Sequence, residues 1–385
     1  MKVFLVAGEL SGDRLGGALM EGMRQLMPNV EFAGVGGPLM GAQGLESLFP
    51  MDELSVMGIA EVLPKYRHLV KRMHQTAKAV LDWQPDVLIT IDSPDFCLRV
   101  AREVKAVSTI RCVHYVAPSV WAWRPKRAQK MARSVDHVLA LLPFEPPYME
   151  AVGLRCDFVG HPVVTEPVAS AEEVAAFRAQ HRIDDAPLLV ALPGSRRGEV
   201  GRLTPAFGEV VARLKQKKPD LRVVVPAAAP VADAVKEAVA GWPHAPIVLD
   251  PNLMGPEEGL AQKRAAFAAA DVALAASGTV SLELAASATP MVVAYDMSWL
   301  SWQIMSRMAL IDTVTLVNLV SETRTVEEFL GPAFQPEDIA PALLRILDNP
   351  EAQQAAMALT MERLGKGHEA PGLRAARAVL DGLGA

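Results

Sequence analysis

Short, nearly continuous apolar runs recur along the chain, each closed by a loop of small or polar residues and followed by a stretch with helical spacing. Residues 3–7, 31–35, 87–91, 109–116 and 135–142 form a first series, which 158–162 closes; the loop 8–13 after the first run leads into a helix expected from about Leu15 to Met27. The rhythm restarts at 188–192 and continues through 221–226, 247–249, 272–275 and 291–295. Runs that are apolar on both faces read as buried parallel strands, and their alternation with helices reads as a doubly wound sheet. Two such series predict an α/β protein of two Rossmann-like domains, 1–165 and 166–354, facing a central cleft. Residues 166–187, rich in Pro and Ala and helical in part, are the expected hinge.

One stretch between the strands follows a different pattern. Over 56–81, Val62, Tyr66, Leu69, Val70, Met73, Ala77, Val80 and Leu81 fall on one helical face, while Lys65, Arg67, Lys71, Arg72 and Lys78 line the other, with Glu61 as the single acid of the basic stretch. That pattern suits a crossover helix packed on its sheet, and it equally suits an interfacial helix drawn to anionic lipid through Val62, Tyr66, Leu69, Val70 and Met73. A second basic stretch, 120–133, sets Trp121 and Trp123 beside Arg124, Lys126, Arg127, Lys130 and Arg133. Paired tryptophans beside bases fit a phosphorylated amphiphile or a corner of the core.

Composition narrows the class. At 385 residues, 51% hydrophobic and 21% charged, the chain suits two globular domains, and a net charge of −6 argues against a nucleic-acid partner. Cys97, Cys112 and Cys156 are too few and too widely spaced for a disulfide framework or a CxxC metal site, which suits a reducing compartment. The first apolar run is too short for a signal peptide. The long apolar stretch 272–295 is interrupted by Ser277, Gly278, Ser281 and Glu283, so it does not span a bilayer. A membrane would be met from one side only.

Candidate chemistry lies where strands end. Residues 188–200 read as strand, Gly194-Ser195 turn and helix, which offers an anion free amides, a helix dipole and the guanidinium of Arg196 or Arg197. Ser277, Gly278 and Thr279 repeat that arrangement, and Glu283, one to two turns into the following helix, suits a contact to ribose hydroxyls and equally suits a surface acid. In the first half, Glu9, Ser11 and Asp13 sit in the loop after the first strand with Gly8 and Gly12. The spacing of Gly8, Gly12 and Gly16 is not a dinucleotide fingerprint, and residues 194–198 lack the ending of a P-loop. Asp92 and Asp95 follow an apolar strand, where a partly desolvated carboxylate suits a general base and where Asp92 or Ser93 equally suits a helix cap. The sequence has no DxD or HxxH-type metal cluster, so the helix dipoles and arginine are left to stabilise a departing diphosphate.

Taken together, Ala7-Gly-Glu-Leu-Ser-Gly-Asp13, Val56-Met-Gly58, Ile91-Asp-Ser-Pro-Asp-Phe96, His114-Tyr-Val-Ala-Pro-Ser-Val-Trp-Ala-Trp-Arg124, Leu142-Pro-Phe-Glu145, Gly160-His-Pro162, Leu192-Pro-Gly-Ser-Arg196 and Ala276-Ser-Gly-Thr279 resemble the lipid A disaccharide synthase family, in order, as far as Asn318. The resemblance implies an inverting, metal- and cofactor-independent glycosyltransferase of the GT-B type, peripheral at the cytoplasmic face of the inner membrane and dimeric. It implies transfer of 2,3-diacylglucosamine from its UDP derivative to the 6-hydroxyl of 2,3-diacylglucosamine 1-phosphate, giving a β-1,6 disaccharide and UDP. On that reading Asp92 is the base. Gly194, Ser195, Arg196, Ser277, Gly278, Thr279, Glu283 and Asn318 hold the donor, and Gly8, Glu9, Ser11, Gly12, Asp13, Trp123 and Arg124 shape the acceptor side. A helical tail, 355–385, is expected to pack back on the first domain or to exchange with a partner subunit. The chain departs from the family at residues 327–331, where a Pro and a Gln are usual, and at Asp296, where a base is common. The competing readings are another UDP-sugar transferase of this fold with a lipid-linked acceptor, and a non-catalytic peripheral membrane protein.

Overall fold

Each series of apolar runs forms one parallel six-stranded sheet in the computed structural model, which describes residues 1–54, 59–243 and 245–384, with only the backbone of 59–65. The chain divides into two units, Met1–Thr165 with Leu364–Ala385, and Glu166–Arg363.

The first unit contains β1 (Lys2–Ala7), β2 (Glu31–Val35), β3 (Val87–Ile91), β4 (Arg111–Tyr115), β5 (His137–Ala140) and β6 (Arg155–Phe158), in spatial order β2-β1-β3-β4-β5-β6. Its crossovers are α1 (Leu10–Leu26), α2 (Pro38–Ala42), α3 (Ile59–Trp83), α4 (Pro94–Val107), α5 (Lys126–Met131) and α6 (Pro146–Glu150). Helices cover both faces, which explains the unbroken apolar runs: Leu88 packs with Phe4, Val100 and Val104 on one side, and Ile89 with Leu5, Leu19 and Met23 on the other. The last strand lies at 155–158 and not at 158–162. It is an edge strand whose Arg155 and Asp157 pair at 2.9 Å, so its polar alternation hides it from an apolar-run reading.

In the second unit, β7 (Leu188–Leu192), β8 (Arg222–Pro226), β9 (Ile247–Leu249), β10 (Val272–Ala275), β11 (Met291–Tyr295) and β12 (Glu328–Leu330) take the order β12-β11-β10-β7-β8-β9. The helices are α7 (Ala171–Gln180), α8 (Arg197–Lys217), α9 (Ala232–Val239), α10 (Pro256–Ala269), α11 (Val280–Ala286), α12 (Trp299–Met308), α13 (Leu316–Ser321), α14 (Pro336–Asp348) and α15 (Glu351–Arg363). The expected hinge contains α7, closed by a Ser170–Glu173 capping box and anchored by buried Phe177. The departing segment 327–331 is the edge strand β12. Its Glu328 Oε1 accepts hydrogen bonds from Thr313 Oγ1 at 2.6 Å and from the Thr315 amide at 2.7 Å.

Only Leu364–Ala385 returns to the first unit, because α15 stays with the second. The returning helix, α16 (Pro371–Leu383), crosses α1 so closely that a Cβ on Gly22 would lie 2.7 Å from the Gly372 carbonyl oxygen. The Gly160-His-Pro162 motif receives the start of this tail, with the His161 amide donating to the Leu364 oxygen at 3.1 Å.

The stripe of α3 covers the sheet. Met73, Ala77 and Val80 are core residues and Leu69 and Val70 pack against them, so the expected membrane contact is corrected for Leu69, Val70 and Met73; Tyr66 stays exposed. The side chain of Val62 and the residues Val56, Met57 and Gly58 lie outside the described residues. Glu53 pins α3 from below, accepting from Arg72 Nε at 2.6 Å and contacting His68 Nε2 at 2.5 Å; these bonds hold its carboxyl down to about 2. Among the described residues no helix is long and apolar enough to cross a membrane.

Candidate active site

The backbone is most strained in the first domain where β3 and β4 end. Asp92 and Ser93 are left-handed at φ +52° and +41°, Val116 reaches +88°, and the Asp92 amide donates to the Tyr115 oxygen at 2.9 Å. Such conformations cost about 1–3 kcal/mol each and cluster at functional sites. The half-buried Asp92 accepts a hydrogen bond on Oδ2 from the exposed Ser11 hydroxyl at 3.1 Å. Gly8 packs closely beside them, since a Cβ there would lie 2.7 Å from Ser93 Oγ and make that side chain shift.

The loop expected over residues 8–13 is shorter than that, since α1 begins at Leu10 with Glu9 as its N-cap. Ser11, Gly12 and Asp13 therefore stand in the first turn of the helix, where an acid offsets the dipole. Asp13 is buried and its carboxylate is occupied: Oδ1 accepts from the Gly37 and Met40 amides at 2.9 and 3.0 Å, and Oδ2 from Leu39 at 2.9 Å. It caps α2, so its carboxylate is spent on the protein's own amides, and any part it has on the acceptor side is through the loop it holds. Gly12 is buried against Ala7 and Ile91.

The two tryptophans differ. Trp121 is buried, donates to Glu145 Oε1 at 3.2 Å and meets Phe144 edge-on at 5.1 Å; Glu145 Oε2 also accepts from the Leu141 and Leu142 amides at 3.2 and 3.0 Å. Burial outweighs these three bonds and pushes the Glu145 carboxyl up to about 7. Trp123 is half-buried under the guanidinium groups of Arg124 and Arg127, at 4.1 and 5.8 Å from its ring centroid.

In the second domain β7 and β10 are neighbours, Leu192 pairing with Ala275, so the turns at 193–196 and 276–279 stand side by side. Gly194 takes φ +108° and Arg196 is the N-cap of the 21-residue α8. The amides of this turn are already engaged. Glu199 Oε2 accepts from Ser195 and Arg196 at 3.1 and 3.3 Å, while Oε1 accepts from Arg196 Nη1 at 3.2 Å and from the Tyr295 hydroxyl at 3.5 Å. Gly194 makes room for this carboxylate, because a Cβ would sit 2.5 Å from Oε2. Ser277, Gly278 and Thr279 are exposed beside the turn, though α11 behind them has only seven residues.

Two donor-side assignments look different in three dimensions. Asn318 is buried with both Nδ2 hydrogens spent on Thr313 Oγ1 and the Val326 oxygen, at 3.1 and 2.9 Å, while its Oδ1 accepts from the Val326 amide at 3.0 Å. It positions a loop and offers a ligand no donor. Glu283 is half-buried in an ion pair with Lys263 at 2.5 Å. Asp296, where a base is common, pairs with Arg202 of α8 at 3.5 Å. Glu199, Glu145 and Glu328 escaped the sequence reading. Two of them left a signal, Glu199 as the acid three residues after an N-cap and Glu145 as the last residue of the Leu142-Pro-Phe-Glu145 motif. Among the described residues no group of three or more His, Cys, Asp and Glu side chains could hold a metal ion.

Comparison with known proteins agrees with this architecture. A family model described as Lipid-A-disaccharide synthetase matches residues 3–379. The chain is 65% identical to the lipid-A-disaccharide synthase of Ruegeria pomeroyi over 383 residues, covering 100% of the chain and 96% of that protein. It is 49% identical to that of Rhodospirillum centenum, over 98% of the chain and 94% of the relative. Among solved structures, UDP-GlcNAc 2-epimerase from Neisseria meningitidis bound to UDP-GlcNAc shares the fold, with a TM-score of 0.64 at 13% identity over 100% of this chain and 99% of that one.

Proposed function

The chain belongs to the lipid-A-disaccharide synthetase family, glycosyltransferases that form the lipid A disaccharide, and from that premise we propose how its residues divide the reaction. The donor is UDP-2,3-diacylglucosamine and the acceptor 2,3-diacylglucosamine 1-phosphate. Asp92 takes the proton of the acceptor 6-hydroxyl as that oxygen attacks the anomeric carbon. The bond from that carbon to the UDP oxygen breaks on the opposite face, UDP departs, and the new linkage is inverted. Once Glu199 releases the amides of Ser195 and Arg196, charge growing on the diphosphate is met by the amides of Gly194–Arg196, the α8 dipole and the Arg196 guanidinium, with Ser277 beside them. Trp123 and Arg124 flank the acceptor side.

The observation that carries this reading is Asp92 itself: half-buried and strained, with a hydroxyl, not a cation, on its carboxylate. Ser11 orients the base without neutralising it. Because the substrates are acylated, the enzyme works at the cytoplasmic face of the inner membrane, approached through the basic segment 124–133.

Purified protein with both substrates in detergent is expected to release UDP and disaccharide in equal amounts. Asp92→Asn is expected to lower turnover at least about a thousandfold while UDP affinity, read by calorimetry, changes less than about twofold. Near-normal turnover in that variant would remove Asp92 from the role of base.

A further inference from the structure

Between α5 and α6 of the first domain, under the loop that carries the tryptophans, lies an open groove of about 490 Å³. Its walls are Val120, Ala128, Pro147, Ala151, Val152 and the ring of Tyr148, and Lys126 stands at its rim. The walls are tied together, because Trp121, next to Val120, is held by Glu145 and Phe144 immediately before α6. Val120 and Ala128 are buried at the groove's floor, so its aliphatic surface recedes and does not project as a bilayer-inserting face does. Lys126 lines the groove, and in the surrounding stretch 124–133 it is joined by Arg124, Arg127, Lys130 and Arg133 with no acid among them; none of the five is in a described ion pair with a carboxylate.

We propose that this groove seats an acyl chain of the acceptor, with the acceptor's phosphate held at the rim by Lys126 and its basic neighbours. An apolar slot crowned by unpaired cations is complementary to a ligand with a hydrocarbon tail and an anionic head, and the volume lies in the range of small-molecule sites. The loop carrying Val120 leaves β4 directly after Tyr115, whose carbonyl binds the Asp92 amide, so the groove lies on the base's side of the domain. The proposal rests on the reading of the acceptor as an acylated sugar phosphate.

The test is steady-state kinetics of the full-length enzyme with detergent-dispersed acceptors bearing butyryl or myristoyl chains. Gln129→Trp and Ala151→Trp, both at exposed lining positions, fill the groove from its mouth. Each is expected to raise KM for the myristoyl acceptor about tenfold, the equivalent of roughly two unburied methylenes, with butyryl and donor KM within about twofold. Lys126→Ala is expected to raise KM several-fold for both phosphorylated acceptors and not for one lacking the phosphate. Equal effects on both chain lengths would overturn the groove as an acyl site. So would loss of binding to phospholipid vesicles with unchanged kinetics on dispersed acceptor, which would make this a membrane contact. If the wild type formed no disaccharide from either acceptor, the reading of the reaction itself would fall, and the proposal with it.

Discussion

Glu145 and Glu199 both lie beyond the carboxyl end of a strand, Glu145 after β5 as the N-cap of α6 and Glu199 after β7 in the first turn of α8. Each folds a carboxylate back onto two consecutive amides, Leu141 and Leu142 in one case, Ser195 and Arg196 in the other. They differ in what surrounds them. Glu145 is 4% exposed and its third partner is a buried indole. The Glu199 side chain is 16% exposed and shares the turn with an Arg196 side chain that is 66% exposed. The same device is a fixed clamp where water cannot reach it, and where water can it is expected to yield to a stronger anion. Glu199 thus stands where the diphosphate is proposed to bind.

Breaking the buried clamp carries the largest expected effect. Glu145→Ala leaves two amides and an indole without an acceptor, and is expected to cost about 3–5 kcal/mol in denaturant unfolding. A change below about 1 kcal/mol would mean that water or a neighbour satisfies them. The next effect is pH dependence. The folded chain holds the Glu145 proton up to about 7, against an ordinary 4.5, so between those values the unfolded state binds fewer protons and stability falls as pH rises. From about pH 5 to about pH 8, wild type is expected to lose roughly 1–3 kcal/mol more than Glu145→Gln does; parallel profiles would contradict the raised value. The smallest is Glu199→Gln. UDP is expected to bind about three- to tenfold tighter once no internal anion competes, with uridine affinity unchanged and stability within about 1 kcal/mol. Weaker UDP binding would show that the carboxylate prepares the turn and does not fill it.

A second contrast concerns apolar residues. The amphipathic stripe of α3 faces the core through Met73, Ala77 and Val80, whereas α12 has no buried residue and leaves Trp299, Leu300 and Ile304 exposed. Periodicity marks which residues share a face but does not say what that face meets.

From the sequence alone, the two parallel sheets, the strand-end positions of Asp92 and Gly194–Arg196, and the kinship of the whole chain could be read, because buried parallel strands demand continuous apolar runs and their loops carry short local motifs. The polar edge strands β6 and β12 could not be read that way, since one exposed face removes the demand. Only the tertiary structure decided which polar groups are already spent. Asp13 and Asn318 look like free ligands in one dimension, yet their side chains find partners between five and 27 residues away. A buried or half-buried acceptor takes whatever donors the fold brings near, and that proximity is a property of packing and not of sequence spacing.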